Sequence, residues 1–148
     1  LKNDLEVMKR QLDLENVQFL GVRRDVPDLL RKSDIYIMSS EWEGLSISLL
    51  EALASGIPII ATNAGSNTEI IEDNINGVIV PIKSPNELAE KIVEIIENFE
   101  FRNSFINNRE DAIKKFDIDV SSKAHIELYY SIAGKYQSYK MVWTQTKE

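Results

Sequence analysis

The chain contains no cysteine and a single histidine, His125. Without a thiol there is no disulfide and no thiolate metal centre, and one imidazole cannot build a histidine-rich one. Positive charge is also scarce: 17 Lys and Arg against 24 Asp and Glu leave a net charge of −7. A nucleic acid binds through a basic face, which this balance argues against. No apolar run reaches the roughly 18 residues needed to span a bilayer, and the opening residues do not follow the pattern of a secretory leader. There is no internal repeat and no low-complexity tract. What is present suits a single globular domain: 148 residues are enough for one proper hydrophobic core. The expected setting is cytoplasmic.

With six glycines and four prolines, most of them mark a boundary. Leu5, Met8 and Leu12 have helical spacing over residues 2–13. The run VQFL at 17–20, ending at Gly21, reads as a short buried strand. Asp25 caps a short helix with Pro27 in its first turn. A strand at 35–38 passes through Gly44 into a helix at 45–55 that stops at Gly56. The next strand, 57–61, has Pro58 near its start, where the missing N–H does least harm. The quartets SNTE at 66–69 and SPNE at 84–87 both fit the capping-box pattern and each should open a helix. A turn at 74–77 leads to the last strand, 78–80. Leu88, Ile92, Ile95, Ile96 and Phe99 mark one face of a long helix. Phe101, Phe105 and Ile113 mark the inward side of the next, and Ala124, Leu128, Ile132 and Tyr136 that of a final one. Residues 137–148 have no period and read as a tail, leaving 1–136 as the domain. Four short strands alternating with helices predict an α/β fold, a Rossmann-like parallel sheet flanked by helices.

The segment 39–61 is the most informative. Its strand, glycine turn, helix and second strand form one unit of a parallel sheet. Such a turn offers backbone N–H groups at a helix N-terminus, a natural seat for a phosphate. Two glutamates bracket it. Glu43 precedes Gly44, Leu45 and Ser46, and as an acid at a helix start it is favoured by the dipole. Glu51 lies in the run LSISLLEALAS, apolar on most sides. It is either a buried carboxylate in need of donors or a surface glutamate on a polar stripe with Ser48 and Ser55.

Glu43 and Glu51, separated by seven residues and followed by ALASGIP at 52–58, resemble the donor-binding motif of retaining glycosyltransferases of the large family 4, or group 1, class. The resemblance extends to VQFLG at 17–21, TEII at 68–71 and NGVIVP at 76–81, in order over roughly residues 5–100. It implies the C-terminal, nucleotide-sugar-binding domain of the GT-B fold, here without that domain's first two strands. By the same resemblance, Glu51 binds the ribose hydroxyls, a diol that a carboxylate accepts in bidentate fashion. Glu43 is the catalytic candidate, near the transferred sugar, and Gly44, Leu45 and Ser46 offer N–H groups to the diphosphate or sugar. The family often has glycine at the position of Ser46. Val22 and Arg23 fall at the base pocket, although two adjacent arginines, Arg23 and Arg24, also read as a solvated loop. Glu69 matches a family glutamate, but a capping role explains it locally. His125 reads as structural.

The implied reaction is retaining transfer of a sugar from a nucleotide diphosphate sugar to a glycan or lipid-linked acceptor. It needs no metal and no cofactor beyond the donor itself. The acceptor is expected on an N-terminal domain, and peripheral membrane association belongs to the full-length enzyme. Two other readings stay open: a non-catalytic nucleotide-binding remnant, and a nucleotide-sugar epimerase of the same fold. The resemblance also places two absent strands between 17–20 and 35–38, leaving apolar edges open to self-association.

Overall fold

The computed structural model describes residues 2–133. The order of elements is α1 (Lys2–Gln11), α2 (Val26–Arg31), β1 (Tyr36–Met38), α3 (Ile47–Ser55), β2 (Ile59–Thr62), α4 (Asn67–Ile70), β3 (Val78–Val80), α5 (Pro85–Glu97), α6 (Phe99–Lys114) and α7 (Ile118–Ala133). The strands form one parallel sheet in the order β1-β2-β3. Tyr36, Ile37 and Met38 face Ile59, Ile60 and Ala61, and Ile60, Ala61 and Thr62 face Val78, Ile79 and Val80. The Pro58 carbonyl extends the ladder by accepting from the Tyr36 N–H at 2.9 Å. A proline at this point therefore costs the sheet nothing.

Alternation along β2 makes the layers. All four of its residues are buried, as expected of a central parallel strand covered on both faces. Ile59 and Ala61 join Leu30 of α2, Leu49 and Leu53 of α3, and Ile70 and Ile71 in one core. Ile60 turns the other way, into a second core with Val78, Val80, Ile95 of α5 and Phe105 of α6. The phenyl rings of Phe101 and Phe105 meet edge to face, centroids 4.6 Å apart.

Several expectations are corrected. Residues 17–20 form no strand among the described residues and pair with nothing in the sheet. Phe19 and Leu20 are exposed. A four-residue run acquires strand geometry only from a neighbour's ladder, and no strand lies beside it. Among the described residues the sheet is thus three-stranded, with β1 at an open edge. The two Ser-x-x-Glu quartets do start helices, but neither serine caps through its side chain. Asp25 likewise caps α2 through its backbone, with no side-chain bond to the helix. On α5, Ile96 points outward, and Phe99, though exposed, begins α6. The final helix buries none of its residues. Leu128 and Ile132 stay exposed, and Tyr136 and the tail fall outside the described residues.

Candidate functional site

At the C-terminal edge of the sheet the chain leaves β1 through residues 39–46 and enters α3. Ser46, 5% exposed, is the helix cap, its Oγ accepting from the Leu49 N–H at 3.3 Å. The helix therefore begins at Ile47, two residues later than the periodicity predicts, and Leu45 and Ser46 belong to the loop. At the far end Gly56 adopts φ +80°, and its N–H donates to the Leu53 carbonyl at 3.2 Å. A Cβ on Gly56 would lie 1.3 Å from Arg109 Nη1. The guanidinium of α6 thus lies against the negative end of the α3 dipole, which orients α3 and favours charge of this sign.

Glu43 is half-buried in the loop. The Ser40 hydroxyl donates to its Oε1 at 2.7 Å, and the Thr62 hydroxyl donates to the Ser40 carbonyl at 2.5 Å. Thr62 is itself buried at the end of β2. The loop that follows β2 closes on the same turn: the Ser66 hydroxyl donates to the Gly44 carbonyl, and Gly65 lies against the Glu43 carbonyl. Gly44 and Leu45 are exposed, and the first amides of α3 have no partner within the helix. Together they form a concentration of N–H donors beside a carboxylate whose direction is held by hydrogen bonds.

Glu51 lies one turn into α3 and is exposed, which removes the buried-carboxylate reading. It lines a shallow groove between α3 and α2 with Pro27, Leu30, Arg31, Ala54 and Ser55. The wall is largely apolar, and the nearby Arg31 guanidinium is paired with Asp28. Val22 and Arg23 precede α2 and do not line this groove. The Val22 side chain is fully exposed. Arg23 is engaged locally, donating from Nε to Asp25 Oδ1 at 2.8 Å and from its terminal nitrogen to Oδ2 at 2.5 Å. That pairing occupies the Asp25 carboxylate and explains why it does not cap α2. It also holds the Asp25 carboxyl below the ordinary aspartate range, chiefly through the side-chain hydrogen bonds from Arg23.

Glu69 is exposed beside α6 and lines a small polar recess with Glu72, Asn76 and Lys115. His125 contacts the Ser121 carbonyl one turn back, at 2.7 Å. Among the described residues, no group of three or more His, Asp or Glu side chains could hold a metal ion, and no helix is long and apolar enough to cross a membrane.

Ser40, Thr62, Gly65 and Ser66 were not singled out for the site by sequence reasoning. One signal was available. In a parallel sheet the loops after adjacent strands emerge side by side, so residues 63–66, after β2, had to flank residues 39–46, after β1.

Residues 1–112 match the family described as glycosyl transferases group 1. The chain belongs to that family. It is 34% identical over 106 residues to an uncharacterized glycosyltransferase of Methanocaldococcus jannaschii, covering 70% of this chain and 30% of the relative. It is 28% identical over 131 residues to the Escherichia coli UDP-Gal:alpha-D-GlcNAc-diphosphoundecaprenol alpha-1,3-galactosyltransferase, covering 80% of this chain and 32% of that enzyme. Among solved structures, Anabaena HepE in complex with UDP superposes with a TM-score of 0.82 at 30% identity, covering 87% of this chain and 36% of HepE. HepE has also been solved with UDP-glucose. The fold of the group 1 chain is thus that of GT-B glycosyltransferases, and it spans about a third of the length of the curated relatives it matches.

Proposed function

We propose that this chain binds the nucleotide diphosphate sugar donor of a retaining glycosyltransferase. The observation that carries the reading is the turn between β1 and α3. Its exposed Gly44 and Leu45 and the amide-rich start of α3 stand between Glu43, oriented by Ser40, and Glu51, exposed beside an apolar groove. The family membership and the UDP and UDP-glucose complexes of HepE support a nucleotide sugar as the ligand.

In this reading Glu51 accepts hydrogen bonds from the ribose hydroxyls. The diphosphate rests over the amides of Gly44, Leu45 and Ser46, favoured by the positive end of the α3 dipole. Glu43 faces the sugar and stabilises positive charge as the carbon–oxygen bond to the diphosphate breaks. The base lies toward α2, with Val22 and Arg23, in the loop before it, as its candidate contacts. Neither metal nor further cofactor is needed, and the acceptor, a glycan or lipid-linked sugar, is held by a separate domain.

Calorimetry with UDP and UDP-glucose tests the reading. Glu51→Ala should weaken both ligands by about 1–3 kcal/mol, the scale for losing hydrogen bonds to a charged group. Unchanged affinity removes Glu51 from the site. In the full-length enzyme Glu43→Ala should lower kcat more than it weakens donor binding, because an interaction with charge that develops at the transition state acts on turnover. A raised KM at constant kcat would make Glu43 a binding group only. Residues 1–148 alone should bind donor without transferring sugar, since transfer also requires an acceptor held against the donor. Turnover by these residues would relocate the acceptor site.

A further inference from the structure

The amides assigned above to the diphosphate are useful only if their peptide planes keep one orientation, and the loop after β2 sets that orientation from behind. A trans peptide is planar, with its C=O and N–H pointing in opposite directions. The Glu43 carbonyl shares its peptide with the Gly44 N–H, and the Gly44 carbonyl shares its own with the Leu45 N–H. Each carbonyl faces one residue of that loop, the Glu43 oxygen Gly65 and the Gly44 oxygen Ser66. Gly65 has φ +53°, and a Cβ there would lie 1.7 Å from the Glu43 oxygen. Glycine is thus the residue that lets this backbone lie flat against that carbonyl. Next to it, the Ser66 hydroxyl donates to the Gly44 carbonyl instead of capping α4. With the Glu43 oxygen packed on Gly65 and the Gly44 oxygen bonded by Ser66, planarity turns both N–H groups the other way, toward the open side of the turn, where Gly44 and Leu45 are exposed.

We propose that Ser66, backed by Gly65, is a positioning residue that aims the Gly44 and Leu45 amides at the donor diphosphate. The inference rests on the donor-binding reading above. It goes further in giving the S-x-x-E serine a function: its hydroxyl serves the neighbouring loop, and α4 starts without a side-chain cap.

The test has two arms on the 148-residue chain. Without ligand, residual dipolar couplings of the Gly44 and Leu45 N–H vectors are measured for the wild type, Ser66→Ala and Ser66→Thr. The Leu45 coupling should change in Ser66→Ala and return in Ser66→Thr, which restores a hydroxyl. With ligand, calorimetry compares UDP with uridine, which has no phosphate. Ser66→Ala should lower the UDP-to-uridine affinity ratio about 5-fold, the scale of one lost hydrogen bond, leave uridine unchanged, and be rescued by Ser66→Thr. Unchanged couplings overturn the proposal, as does an equal loss for UDP and uridine or full UDP affinity despite altered couplings. A wild-type chain that binds neither ligand overturns the donor reading and the positioning role with it. The ligand-free couplings separate that failure from the absence of the Ser66 to Gly44 hydrogen bond.

Discussion

Single residues decide how the turn at the sheet edge is held. Glycine at 65 is required twice over, by its positive φ and by the Glu43 carbonyl against which it lies. Left-handed backbone alone costs a non-glycine residue about 1–2 kcal/mol, and the steric conflict adds to that. Gly65→Ala should therefore lower the free energy of unfolding by about 2 kcal/mol or more, read from urea denaturation, while a loss within error would mean the loop relaxes freely. Arg23 and Asp25 give a pH-dependent prediction. The folded carboxyl titrates below its unfolded value, so the pair's contribution is present above the ordinary aspartate range and is lost as pH falls through the depressed value. An NMR titration should place the Asp25 midpoint below about 3.9, the usual aspartate value, and Arg23→Ala should return it there. No shift on that substitution would show that backbone groups hold the carboxylate. The pair is exposed, so its effect on global stability should be small.

At the scale of elements, α3 carries the candidate site and is held at both ends. Ser46 satisfies an N-terminal amide through its side chain, and Arg109 lies over the C-terminal glycine. Ser46→Ala should cost about 0.5–2 kcal/mol, the range for losing a cap. Because the cap is buried and borders the turn, the loss should appear as faster amide exchange in the first turn of α3 before it appears elsewhere. Uniform acceleration over the whole chain would contradict a local role. The second core depends similarly on α6: Phe105 is 1% exposed and joins Val78, Val80 and Ile95. Phe105→Ala should cost about 3–5 kcal/mol, the usual range for truncating a buried phenyl group, measured as a shift in the denaturation midpoint.

Over the whole molecule, burial is uneven. The sheet and α2 to α6 share two cores, whereas α1 and α7 bury none of their residues. Leu5 and Met8 on α1, and Tyr129, Tyr130 and Ile132 on α7, remain exposed. The β1 edge adds open backbone groups, with Ile37 half out of the fold. Apolar helix faces and an unpaired strand edge both favour association. Light scattering on residues 1–148 should give a mass that rises with concentration, and a constant monomer mass over a wide range would show that these surfaces are tolerated in water.

How much of this was legible in the sequence depended on whether the cause was local. Periodicity and punctuation determined α3 with its glycine stop, the turn at 74–77, the strand at 78–80 and the inward face of Phe101 and Phe105, because each follows from a few neighbouring residues. The order of motifs from VQFLG to NGVIVP determined the family, and with it Glu43, Gly44, Leu45, Ser46 and Glu51 as candidates. The tertiary structure alone decided whether VQFL was a strand, because a strand exists only beside a partner. It decided that Glu51 was exposed, since the same helical pattern places it on either side of the boundary with solvent. It also decided that Ser66 serves the Gly44 carbonyl and that Arg23 occupies Asp25. Each of these depends on which groups the folded chain brings within hydrogen-bonding distance, and for Ser66 that partner lies 22 residues away.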